Sequence, residues 1–222
     1  MTLRMKVFVI IGVVLIGLLV SFYLIYQSVS GAVVETVKKN AEVQVDVLSN
    51  YFDEKMNKYV EKARDLTQSM EAQLLDVYSI ASNMLKMLEE ASDTLLAGLA
   101  FEEMTGSGYI ATVDGLKQFD KSSDIFQRYM SLLKESSEDY LAFPETFDGK
   151  PSLVILAPLG AYGAGTLGGV GYVIDLSPGK AFWSTVVNGG KLGESGYGIL
   201  VSGEGKILIH RDMGNFLKEV KE

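Results

Sequence analysis

The sequence predicts an α+β protein: an apolar N-terminal helix, a long amphipathic helix and an antiparallel sheet domain. Three observations predict it. Residues 7–26, VFVIIGVVLIGLLVSFYLIY, carry no charge. From Val34 to Leu99 an apolar residue recurs every three or four positions. Glycine and proline are concentrated later, since only four of the 23 glycines (Gly12, Gly17, Gly31, Gly98) precede position 105, and Pro144, Pro151, Pro158 and Pro178 all come after it.

The first element is a membrane anchor. Twenty helical residues span about 30 Å, the thickness of a bilayer core. Arg4 and Lys6 precede the block and no basic residue occurs after it until Lys38. The positive-inside rule then leaves residues 1–6 in the cytoplasm and puts the chain after 26 outside, with Tyr23 and Tyr26 at the interface. A cleaved signal peptide is the rival, with Ser28-Val29-Ser30 as the small-residue site. A run of 20 is long for a signal core, so an uncleaved membrane anchor is the expectation.

The second element spans residues 31–100. Its stripe includes Val34, Val37, Val45, Phe52, Tyr59, Ala63, Met70, Val77, Met84, Leu88, Leu95 and Leu99, at a mean spacing of about 3.6, the period of a helix. A break is expected near Thr67–Ser69 or Ser79–Ser82. So long a helix exceeds what one small domain can cover, which favours a homodimer through this helix; packing on its own domain is the alternative.

The third region reads as strands. Gly108–Val113 ends on Asp114-Gly115, a hairpin signal. Residues 120–137 read as a helix, Tyr140–Thr146 and Ser152–Ala157 as strands around the Asp148-Gly149-Lys150 turn, and Gly169–Leu176 as another strand. Ser177 and Pro178 should open a helix as N-cap and first residue. Tyr197–Ser202 and Lys206–His210 form a hairpin. The helices are expected on one side of the sheet. GYIATVDG (108–115) and GYGILVSG (196–203) also suggest an internal duplication.

Composition excludes several chemistries. There is no cysteine, so no disulfide, thiolate site or cysteine nucleophile. One histidine leaves no His-rich metal cluster, and neither metal nor cofactor is expected. A net charge of −8 argues against nucleic acid. Gly163-x-Gly165-x-x-Gly168 matches a dinucleotide fingerprint, but a strand comes after it rather than the helix that would meet a pyrophosphate, so it reads as a hairpin loop. Gly193-Glu-Ser195-Gly196 lacks the spacing of a nucleophile elbow. His210 reads as an edge residue and Trp183 as core. No catalytic set emerges, and the chain is not expected to be an enzyme.

One group suits binding. Arg128 offers a planar fork for a carboxylate. Tyr129 and Tyr140 give apolar walls with a hydroxyl edge. Asp175 interrupts the run Val173-Ile174-Asp175-Leu176, where a buried carboxylate needs a partner, and a ligand ammonium could supply it. Together they could clamp a zwitterion such as an amino acid. The plainer alternative has Asp175 ending its strand and capping the next helix, with Arg128 solvated.

Two segments, GGVGYVIDLSPGKAF (168–182) and GESGYGILVSGEGKILIH (193–210), together with the anchor and long helix, resemble the double Cache family. These are extracytoplasmic, PAS-like sensor regions of bacterial methyl-accepting chemotaxis receptors, sensor kinases and cyclic-dinucleotide enzymes. The resemblance implies a membrane-distal PAS-like module over 105–190 and the start of a membrane-proximal module over 195–222. It implies a small-molecule ligand, an amino acid or organic acid, with Tyr140 and Asp175 at matching positions. Arg128-Tyr129 stands without the tryptophan of the family's Arg-x-Trp-Tyr. A complete relative would finish the proximal module, cross the membrane again and carry an output domain, so the chain is expected to be a fragment. The function implied is the ligand-sensing portion of a chemotaxis receptor; the sensor portion of a histidine kinase or diguanylate cyclase, or a non-binding spacer, are the alternatives.

Overall fold

A computed structural model describes residues 3–72, 75–161, 165–190 and 196–220. The hairpin loop expected at 163–168 and the segment at 193–196 thus lie partly outside the described residues. The chain falls into two compact units, Met1–Asp46 and Val47–Glu222. Helix α1, Leu3–Glu71, runs through both.

In the first unit the described part of α1 leaves large apolar side chains uncovered. Leu19, Phe22, Tyr23, Ile25 and Tyr26 are all exposed. A helix that presents such side chains outward needs an apolar surrounding to be stable. By length and composition α1 is the one helix among the described residues able to cross a membrane.

The second unit is built on a six-stranded antiparallel sheet: β1 Leu95–Glu102, β2 Ser107–Thr112, β3 Gly115–Asp120, β4 Leu141–Phe147, β5 Lys150–Ala161 and β6 Gly165–Asp175, in the order β3-β2-β1-β6-β5-β4. Asp114-Gly115 makes the β2–β3 turn, where Gly115 takes a positive φ of 119°, a conformation glycine adopts without steric cost. Asp148 and Gly149, also at positive φ, turn β4 into β5.

The apolar stripe is not one helix. α1 ends at Glu71 and α2, Val77–Glu90, begins after Asp76, whose carboxylate accepts a hydrogen bond from Ser79 N–H at 2.7 Å. The break therefore falls between the two places the sequence suggests, where Asp76 supplies the N-cap of α2. The stripe's last members, Leu95 and Leu99, lie in strand β1 rather than at the end of a helix over 31–100. Both are buried, so apolar spacing alone does not separate them from a helical continuation.

Helices cover both faces of the sheet, not one. On the first face, Tyr59, Ala63 and Met70 of α1 pack with Ile80, Met84 and Leu88 of α2 against Ile155, Val170, Tyr172 and Ile174. Tyr59 and Tyr172 meet with ring centroids 5.7 Å apart. Helix α4, Ala181–Gly189, adds Phe182, which meets Phe52 edge-on at 5.3 Å. This half of the stripe thus packs on its own domain. On the opposite face α3, Asp124–Glu135, buries Phe126, Tyr129, Met130 and Leu133 against Leu99, Phe101, Val154, Leu156 and Val173. Gly169 lets it sit close, since a Cβ there would meet Leu133.

Ser177 and Pro178 do not open α4. They form a turn with Gly179 (φ 86°), and Lys180 is the N-cap, without a side-chain cap bond. The closing hairpin is short: β7 Leu200–Val201 pairs with β8 Ile207–Ile209. Leu208 and Ile209 enter the same core as α4, and Trp183 donates its indole N–H to the His210 carbonyl at 3.0 Å. Leu99→Ala, at a position with no solvent exposure, is expected to cost about 2–5 kcal/mol, read as a lower denaturation midpoint with unchanged slope.

Candidate functional site

The sheet face beneath α3 carries a buried polar row. Ser123 caps α3, its hydroxyl accepting from Phe126 N–H at 3.3 Å. That start sets Tyr129 inward and Arg128 outward. On edge strand β4 the residues Phe143, Glu145 and Phe147 alternate toward α3. Glu145 pairs in register with Ser152 of β5, and Ser152 with Asp175 of β6. All three are buried, Glu145 at 8% exposure, Ser152 at 0% and Asp175 at 1%.

Each buried acid has partners. The Tyr129 hydroxyl donates to Glu145 Oε1 at 2.8 Å. Arg128 Nη2 lies 2.8 Å from Glu145 Oε2, an ion pair without hydrogen-bond alignment. Asp175 Oδ1 accepts from Ser177 N–H at 2.9 Å, and Lys180 Nζ stands 3.9 Å from Oδ2 while donating to the Ser92 carbonyl. Asp175 therefore ends its strand and caps the adjoining turn.

Tyr140 is placed elsewhere. The Arg64 guanidinium of α1 stacks 5.7 Å from its ring and bonds Asp139 at 3.0 Å. It is thus turned toward α1, away from the α3 side that holds Asp175. The four expected residues do not converge: Arg128 and Tyr129 meet, through Glu145, while Tyr140 and Asp175 are apart and separately partnered. Glu145 is the residue that sequence reasoning missed. Its signal was available, because an acid between Phe143 and Phe147 on an inward-facing strand needs a partner as much as Asp175 does.

Beside this pair lies an open groove of about 380 Å³ between α3 and β4, lined by Arg128, Leu132, Glu135, Ser136, Leu141 and Phe143. The Arg128 side chain is 56% exposed and has donors left over after Glu145. Glu135 accepts from the Ser131 hydroxyl at 2.8 Å. The groove thus presents a cation and an anion on apolar walls. Among the described residues no group of three or more His, Asp or Glu side chains is placed to hold a metal ion.

No protein-family model matches the chain. Solved structures do. The ligand-binding domain of the Pseudomonas fluorescens chemoreceptor CtaA in complex with L-alanine is 19% identical, with a TM-score of 0.57, covering 83% of this chain and 75% of that one. Methyl-accepting chemotaxis protein X is 16% identical at 0.57, covering 82% and 77%. The ligand-binding domain of the Pseudomonas aeruginosa amino acid chemoreceptor PctC with GABA is 21% identical at 0.51, covering 83% and 79%. The extracellular domain of a protein assigned as a histidine kinase, and a domain of a sensory box/GGDEF family protein from Vibrio parahaemolyticus, match as well. The fold is therefore that of the PAS-like ligand-binding domains of bacterial sensors.

Burial pushes the Tyr129 phenol far above its usual range, with the Glu145 charge and hydrogen bond adding and Arg128 opposing. The folded state thus holds this proton more tightly than the unfolded chain, whose tyrosines ionise near pH 10. Its contribution to stability is complete below about pH 10 and is lost as pH rises above that. In an alkaline titration tracked by tyrosinate absorbance, Tyr129→Phe is expected to remove amplitude only from the late phase that accompanies unfolding. Glu145→Gln is expected to destabilise by about 1–3 kcal/mol, by weakening the acceptor for Tyr129 and removing the partner of Arg128, measured by denaturant unfolding.

Proposed function

We propose that the chain is the ligand-sensing part of a transmembrane chemotaxis-type receptor, a binding module rather than an enzyme. α1 crosses a bacterial inner membrane once, and the residues after 26 are extracytoplasmic. The sheet domain takes a small solute, an amino acid or organic acid, in the groove between α3 and β4. Arg128 receives the solute's carboxylate, Glu135 an ammonium where there is one, and Leu132, Leu141 and Phe143 its apolar part. Asp175 and Tyr140, first expected in the clamp, act as supports: one fixes the turn after β6, the other ties the start of β4 to α1.

One observation supports this reading above the others: the sheet packs directly on Tyr59, Ala63 and Met70 of the same helix whose N-terminal part is apolar enough to enter a membrane. A solute can move that helix only through unequal affinity for two arrangements of it. Val34, Val37 and Val45, which lie toward one side of α1, remain exposed, and we assign them to a homodimer contact. The region 195–222 is read as the opening of a membrane-proximal module. Origin from a histidine kinase or a diguanylate cyclase is the second reading, favoured by the matches to such sensors.

The test is thermal unfolding of the full chain in nanodiscs with amino acids and small carboxylic acids. A true ligand at 100 times its Kd adds about 2.7 kcal/mol to stability. Arg128→Lys, which keeps the charge beside Glu145 but loses the planar fork, is expected to weaken binding about tenfold. Absence of any saturable stabilisation, in a chain shown to be folded by circular dichroism, would leave a spacer.

A further inference from the structure

A second cavity, of about 400 Å³, lies where α1 gives way to α2. Its walls are Met70, Leu75, Leu159 and Leu167, from the end of α1, the joint, and strands β5 and β6. Three carboxylates line it, Glu71, Asp76 and Glu102, and no basic residue stands among its described lining. Their situations differ. Asp76 is committed to capping α2 through Ser79 N–H. Glu71 accepts from Gly160 N–H at 3.1 Å, which ties the end of α1 to β5. Glu102 ends β1 and pairs with no other described side chain.

An enclosure that is mostly apolar, with one uncommitted carboxylate and a second held by a single amide, has a defined chemical complement. We infer that this cavity binds a cationic amine with an apolar body. The ammonium sits between Glu102 and Glu71, where it gains two charge-assisted hydrogen bonds. The apolar body replaces water against the leucines and against Met70, whose thioether favours an aromatic ring. Glu71 keeps acceptor sites free beside the one that Gly160 N–H occupies, so an ammonium can join it without breaking the tie between the end of α1 and the sheet. The site is separate from the α3–β4 groove: it uses other residues, offers no cation to a carboxylate among its described lining, and lies at the helix end itself.

The experiment is thermal unfolding of the full chain in one detergent with three probes of like shape: 2-phenylethylammonium, 3-phenylpropanoate and 2-phenylethanol. The ammonium is expected to stabilise saturably and the other two are not. Glu102→Gln should weaken it about three- to fivefold, as the loss of one partly exposed charge pair does. Leu159→Trp, which fills the cavity, should abolish the effect, while Arg128→Lys should leave it unchanged. Because Leu159→Trp alone could disturb folding, its far-ultraviolet circular dichroism is compared with wild type, and Glu102→Gln, at a partly exposed position, serves as the independent variant. Equal stabilisation by the alcohol or the carboxylate, no effect of the ammonium at millimolar concentration, or binding indifferent to Glu102→Gln, would overturn the inference.

Discussion

The contact between α1 and the sheet constrains everything else in this molecule. A helix that leaves an apolar segment and continues as an amphipathic one must bury its stripe somewhere. Here Tyr59, Ala63 and Met70 bury it against Tyr172 and its neighbours. That occupies one face of the sheet and leaves the other to be covered by α3. Each large side chain buried in this way contributes about 1.5–3 kcal/mol, so the helix and sheet behave as one cooperative body across this contact.

The arrangement of the second face is a consequence. α3 has only 12 residues and covers the sheet incompletely, so an open groove remains against edge strand β4. The buried acid Glu145 holds α3 to that strand through Tyr129 and Arg128. A carboxylate taken from water without partners would cost several kcal/mol. With them, it sets the register of helix against sheet and orients Arg128 at the groove wall.

Much of this was legible in the sequence, for identifiable reasons. Asp114-Gly115 and Asp148-Gly149 encode hairpins through local φ preferences, and the structure has both. The uncharged block and the α+β class needed only hydropathy and the distribution of glycine. The resemblance to PAS-like sensors agrees with the fold of the solved neighbours. What failed depended on tertiary context. Leu95 and Leu99 continue a helical spacing by chance because a buried strand is apolar on both faces. Ser177-Pro178 has the composition of a helix start, but Asp175 captures the Ser177 N–H and makes a turn first. Tyr140 and Asp175 are close in type to a clamp, but a partner on α1, Arg64, draws the tyrosine to the other side. That pairing joins residues 76 positions apart and leaves no local trace.

The central claim is that the α3 side of the sheet receives a small charged solute. Hydrogen-exchange mass spectrometry of the full chain in nanodiscs, with and without saturating amino and organic acids, tests it most directly. The account predicts slower exchange concentrated in residues 128–147, across α3 and β4. Unchanged exchange there, with protection appearing only in other parts of the sheet domain, would contradict it.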